Sequence, residues 1–136
     1  MDFEFPIRVY WEDTDAGGIV FYANYLKFFE RARTEWLRSL GVSQQSLRAD
    51  TGGMFVVTDT AVRYLRPAVL DDLLHVSARI ETAGRASLTI AQEARCARDG
   101  RILATGTIRI GWVEIASMSP AKIPDNVLKA LQAPPP

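Results

Sequence analysis

The hydrophobic period of this chain changes once, and that change limits what it can fold into. From 24 to 41 the apolar residues recur at helical spacing; from 56 to 112 they alternate. Tyr25, Phe29, Ala32, Trp36 and Leu40 fall on one side of a helix, with Lys27, Arg31, Thr34 and Arg38 as a polar stripe. Phe28 and Leu37 widen the apolar side, so the helix predicts heavy burial. Asn24 is a good N-cap residue, and Gly41 suits the position just past the end.

Strands surround it. Residues 5 to 12 alternate in part, placing Ile7, Val9 and Trp11 on one side of a first strand. Ser43 to Ala49 reads as a short second helix, broken by Gly52-Gly53. Four runs with a period of two follow. They are Val56, Thr58, Thr60, Val62 and Tyr64, stopped by Pro67; Leu74, Val76, Ala78 and Ile80; Leu88, Ile90, Ala94 and Cys96; and Ile102, Ala104, Ile108, Ile110 and Trp112. Asp99-Gly100 between the last two is a hairpin signal. Residues 124 to 131 predict a terminal helix, and 133 to 136, Ala-Pro-Pro-Pro, a disordered tail. The order is strand, long helix, four strands. It predicts a single α+β domain over 1–136, a five-stranded antiparallel sheet burying one helix. The helix covers one sheet face, which points to association through the rest.

Length and charge narrow the function. A chain of 136 residues suits one domain with a core of its own. Sixteen basic and sixteen acidic residues cancel, against the basic excess of duplex-binding domains, so no nucleic-acid partner is expected. The basic set is mostly arginine, whose planar fork suits phosphate groups on a small molecule. No apolar run approaches the roughly 20 residues of a membrane span, and the N-terminus lacks a signal-peptide core. The single cysteine permits no intrachain disulfide. These features predict a cytoplasmic protein.

The stretch before the helix carries the chemistry. Asp13 and Asp15 sit in an acidic turn with Gly17-Gly18, just ahead of the helix N-terminus. A carboxylate there stands beside backbone N–H groups and the positive end of the helix dipole. On the residues alone, Asp15 is as well read as a turn or helix cap as a catalytic acid. Asp13 reads as structural, bonding turn N–H groups. His75, the one histidine, alternates with Leu73, Ser77 and Arg79 away from the apolar face, which weakens a Ser-His-Asp triad. One His and one Cys without ligand spacing argue against a metal site. Cys96 falls on the core face as a small hydrophobe.

The run Asp13-Thr14-Asp15-Ala16-Gly17-Gly18-Ile19-Val20-Phe21-Tyr22-Ala23-Asn24-Tyr25 closely resembles the signature of hotdog-fold acyl-CoA thioesterases. The branch is that of 4-hydroxybenzoyl-CoA thioesterase and the Tol–Pal-linked acyl-CoA thioesterases. Glu30 to Glu35, Ser43-Gln44-Gln45 and Pro67 to Asp72 extend the match to the Tol–Pal-linked group over nearly the whole chain. The resemblance implies a sheet wrapped around a central helix, in homodimers that join two sheets or in homotetramers. It implies Asp15 as the catalytic carboxylate, nucleophile or general base, and the backbone N–H of Tyr22 as the donor to the thioester oxygen. It places Arg85 and Ser87 near the coenzyme A phosphates of the substrate, and asks for no metal or other cofactor. Tyr22 departs from the Tol–Pal-linked members, which commonly carry His there, and is closer to the hydroxybenzoyl branch. The substrate implied is a short-chain aliphatic or aromatic acyl-CoA. Two rival readings stay open. One is a hotdog dehydratase or hydratase, which would want a histidine near the acid. The other is a non-catalytic protein that binds acyl carrier protein or lipid-synthesis enzymes.

Overall fold

The computed structural model describes residues 2–132, so the expected disordered tail at 133–136 lies outside the described residues. Six strands and three helices follow in order: β1 (Phe3–Arg8), α1 (Asn24–Ser39), α2 (Gln44–Thr51), β2 (Gly53–Tyr64), β3 (Leu73–Ala83), β4 (Ser87–Cys96), β5 (Ile102–Glu114), β6 (Ser119–Pro120) and α3 (Asp125–Gln132). The five long strands form one antiparallel sheet in the order β1-β3-β4-β5-β2, with the two-residue β6 added at the end of β5. The sheet curls around α1, the hotdog arrangement.

The apolar side of α1 is buried as its period implies. Phe28, Phe29, Ala32, Trp36 and Leu37 meet Leu74, Val76, Ile90, Ala94, Ile108 and Ile110 in one core. Burying each large side chain stabilises the fold by roughly 1.5–3 kcal/mol relative to exposure. Helix and sheet approach closely because β5 carries a glycine under the ring of Phe29. A Cβ on Gly106 would lie 2.9 Å from Phe29 Cε2. The helix ends as expected: Gly41 takes φ +81°, Val42 N–H donates to the Leu37 carbonyl and Gly41 N–H to that of Arg38.

One polar side chain lies inside this core. Gln92 sits on the inward face of β4 and is 1% exposed. Its amide nitrogen donates to the carbonyls of Phe29 (3.0 Å) and Ser77 (3.1 Å), and its oxygen accepts from Arg33 (3.0 Å). Every hydrogen-bonding role that burial would leave costly is thus filled, and α1, β3 and β4 are tied together. Burial lowers the pKa of the Arg33 guanidinium from its ordinary value.

The structure corrects four local expectations. At the start of β5 the register against β4 shifts, so Ile102 pairs with Arg95 and Leu103 takes the core place expected of Ile102. The first strand covers Phe3–Arg8 rather than 5–12, and Trp11 is 82% exposed instead of sharing a face with Ile7 and Val9. Val9 is claimed by the 71–72 loop, through its N–H to Asp72 O and its carbonyl from Asp71 N–H; the chain then bends into a 3-10 turn, Trp11–Asp13. Asn24 is not the N-cap of α1, because Ala23 already has helical φ and ψ; the Asn24 side chain reaches back to the Asp13 carbonyl at 2.9 Å. In β2 the register shifts between Val57 and Asp59. Phe55, opposite Trp112, and Val57, opposite Ile110, therefore share the inward face with Thr60, Val62 and Tyr64, and Val56 and Thr58 do not. A bulge moves every side chain on one side of it to the other face, and nothing in the apolar pattern marks it.

Candidate active site

The acidic turn folds back on itself between β1 and α1. Asp13 is 6% exposed, and its carboxylate accepts the Tyr10 N–H at 2.8 Å. Its carbonyl accepts the Phe21 N–H at 2.9 Å. Thr14 and Val20 form the next bridge of this small ladder, and Asp15 N–H donates to the Ile19 carbonyl at 2.9 Å. The tip closes with Gly18 N–H on the Asp15 carbonyl, at a φ of +80° for which glycine is the natural choice. Ile19 also bridges Val69, and Val20 N–H donates to the Ala68 carbonyl. The turn is thereby fastened to the loop before β3.

Asp15 is exposed at this tip. Its Oδ1 accepts the Gly17 N–H at 2.8 Å; its Oδ2 has no hydrogen-bond partner among the described residues. The capping role is therefore real, and it occupies only one of the two carboxylate oxygens. Asp13, by contrast, holds the turn from inside.

The entry to α1 leaves an unusual set of free donors. Asn24 N–H bonds to the Phe21 carbonyl, Tyr25 N–H to that of Tyr22 and Leu26 N–H to that of Ala23. These tight turns satisfy the first helical N–H groups, which are ordinarily orphaned. The N–H groups of Tyr22 and Ala23 have no acceptor among the described residues. They stand at the positive end of the dipole of a 16-residue helix. Amide donors so placed suit an oxygen that gains negative charge during a reaction.

Beside them lies an apolar groove of about 310 Å³, walled by Ile19, Val20, Tyr22, Tyr25, Tyr64 and Pro67. Asp15 is not among its lining residues; its ladder partner Ile19 is. The tyrosine rings pack edge to face, Tyr64 against Tyr22 at 6.0 Å and against Tyr25 at 5.6 Å. Burial raises both the Tyr25 and the Tyr64 phenol above the ordinary value, so their hydroxyls remain protonated at neutral pH.

Asp15 and Tyr22 share one end of the molecule, whereas Arg85 and Ser87 lie at the other. The β3–β4 turn that holds Arg85 sits beside the end of β5, where Trp112 N–H bonds to Ala86 O. Asp15 and Tyr22 belong to the opposite end, near Ala68, Tyr64 and the start of β3. The ten residues of β4 separate the two ends by roughly 30 Å at about 3.4 Å per residue. Arg85 is exposed, and the Ser87 hydroxyl accepts from Arg109 at 3.4 Å. His75 lies on the outer face of β3, between Pro6 and Arg95, and Cys96 is buried. The Ala23 N–H and the rings of Tyr25 and Tyr64 were not singled out as site groups from sequence. Tyr64 had a signal: it is the last member of an inward face, just before Pro67 ends the strand.

The fold and site together define a class, and comparison with known proteins agrees. Residues 9–131 match the model of the thioesterase-like superfamily. The chain belongs to that superfamily. It is 44% identical over 128 residues to the acyl-CoA thioesterase YbgC of Haemophilus influenzae, covering 94% of this chain and 93% of the relative. It is 40% identical over 126 residues to the acyl-CoA thioester hydrolase YbgC of Escherichia coli O6:H1, covering 93% and 92%. The crystal structure of a 1,4-dihydroxy-2-naphthoyl-CoA thioesterase from Synechocystis superposes with a TM-score of 0.89 over 96% of each chain, at 22% identity, which supports the fold.

Proposed function

We propose that the protein is a cytoplasmic, homo-oligomeric thioester hydrolase. It converts short-chain aliphatic or aromatic acyl-CoA and water to the free acid and coenzyme A. The observation that carries this reading is two kinds of free group on one stretch, Asp15 at the tip of the short ladder and Tyr22 just past its base. Asp15 keeps one carboxylate oxygen free, and the Tyr22 N–H at the helix start has no acceptor. Thioester hydrolysis needs a nucleophile or base on one side and donors to the developing oxyanion on the other. The relatives named acyl-CoA thioesterase support the substrate class. The tyrosine-walled groove suits a flat or short acyl group.

Two routes satisfy the balance of atoms. As a base, Asp15 takes a proton from water, the water oxygen attacks the carbonyl carbon, and the C–S bond breaks as the thiolate is protonated. As a nucleophile, Asp15 displaces the thiolate to form a mixed anhydride, which water then opens. Both need only a carboxylate, water and amide donors, so no metal or redox cofactor enters the scheme. In either, Arg85 and Ser87 of a second copy are the ones assigned to the substrate phosphates, since within one chain they lie at the end away from Asp15. No histidine stands beside Asp15, which disfavours dehydration as the rival chemistry.

A panel of acyl-CoAs, assayed for released thiol with the wild-type protein, tests the reading. Hydrolysis of at least one aromatic or short aliphatic member is expected. A folded protein that binds acyl-CoA or acyl carrier protein without turnover would point to the non-catalytic alternative. Single turnover in ¹⁸O-water identifies the anhydride route if label enters the Asp15 carboxylate, which requires water to attack the Asp15 carbonyl of the anhydride; the base route never labels it.

A further inference from the structure

Tyr64 is tied to the helix entrance by a bond that crosses most of the fold. It ends β2 opposite Ala104, and its hydroxyl donates to the Tyr22 carbonyl at 3.1 Å, a contact between residues 42 apart in sequence. Its ring is also held between those of Tyr22 and Tyr25, so the hydroxyl has a fixed direction. The peptide unit whose carbonyl it holds is the one whose N–H belongs to Ala23. In a planar trans peptide the C=O and N–H point in opposite directions, so holding one aims the other. That N–H has no acceptor among the described residues, like that of Tyr22. A hydrogen bond to the carbonyl also polarises the unit and makes its N–H a stronger donor.

We propose that Tyr64 is a positioning residue: its hydroxyl clamps the 22–23 peptide so that the Ala23 N–H serves as a second oxyanion donor beside that of Tyr22. The catalytic half of this proposal rests on the thioesterase reading; the clamp does not. Two amides are the more effective arrangement, because a tetrahedral oxyanion has room for more than one donor and each is worth far more away from bulk water. Because the raised Tyr64 phenol stays protonated, the clamp persists across the neutral range.

Tyr64→Phe keeps the ring packing and removes only the hydroxyl. In that variant kcat falls roughly 10-fold, less than the ~10²–10³-fold of losing a donor outright, with KM within about twofold. Ala23→Pro deletes the N–H itself at a backbone φ of −69°, close to that of proline. Its loss of kcat is larger, and adding Tyr64→Phe to it costs little more, since the two act through one group. A readout free of substrate accompanies these. In ¹⁵N-labelled Tyr64→Phe protein the Ala23 amide proton moves upfield, while amides in β3 and β4 stay in place. An unmoved Ala23 amide overturns the clamp. Undiminished kcat in Tyr64→Phe, or losses that multiply in the double variant, overturn its catalytic role. Absence of hydrolysis by the wild type overturns the thioesterase reading and the catalytic half of the proposal with it, and the amide shift still decides the clamp.

Discussion

Asp13 and Asp15 are two residues apart and do different things, and burial separates them. Asp13 is inside, with its carboxylate on the Tyr10 N–H and its carbonyl shared by Phe21 and Asn24. Asp15 is outside, with one oxygen on the turn and one free. Tyr22 has two parts that mutation can separate. Its N–H belongs to the backbone and survives any side-chain change except proline, whereas its ring lines the groove. Tyr22→His is therefore expected to reorder preference among aromatic and short aliphatic acyl-CoAs, with a smaller change in the best rate. The ratio of kcat/KM values across the panel measures this. A ranking identical to wild type would remove the ring from the acyl pocket.

At the scale of elements, the long periodic segments were legible and their junctions were not. The apolar side of α1, the inward faces of β3 and β4, and that of β5 from Ala104 onward follow from spacing, because a buried face is mostly apolar. At the start of β5 a register shift against β4 puts Leu103, not Ile102, in the core. The bulge in β2 and the early end of β1 were hidden. Both are set by backbone pairing, with β5 in one case and the 71–72 loop in the other, and pairing leaves no mark in hydrophobicity. Gln92 escaped for the same reason: a polar residue on an inward face is explained only by partners on α1 and β3. At the site, the acidic turn and Tyr22 stood out by type and motif, whereas the free Ala23 N–H depends on tight turns that form only in the folded chain. Gly106 tests the central packing. A methyl group there meets the ring of Phe29, itself fully buried, so Gly106→Ala overpacks the helix–sheet contact. A loss of about 1–3 kcal/mol is expected, read from urea denaturation midpoints at constant slope. Wild-type stability in that variant would mean that α1 lies further from the sheet than described.

The whole molecule has two outer strands, β1 and β2, that pair on one side only among the described residues. The longer of them, β2, has twelve residues and leaves Val57 and Tyr64 about half exposed. A long unpaired edge with apolar side chains is ordinarily covered. Light scattering at micromolar concentration is expected to give a dimeric or tetrameric mass. A fully active monomer would contradict it. No helix among the described residues is long and apolar enough to cross a membrane. The proposed function stands or falls on Asp15 as the carboxylate that acts on the thioester. Release of free thiol from the best acyl-CoA by Asp15→Asn, with Asp13→Asn as the comparison, tests it most directly. The kcat of Asp15→Asn is expected to fall at least about a hundredfold, within the ~10²–10⁴-fold typical of losing a general base or beyond it, with oligomeric mass and melting unchanged. Asp13→Asn loses less rate and more stability. Near-normal turnover by a folded Asp15→Asn protein would contradict the account.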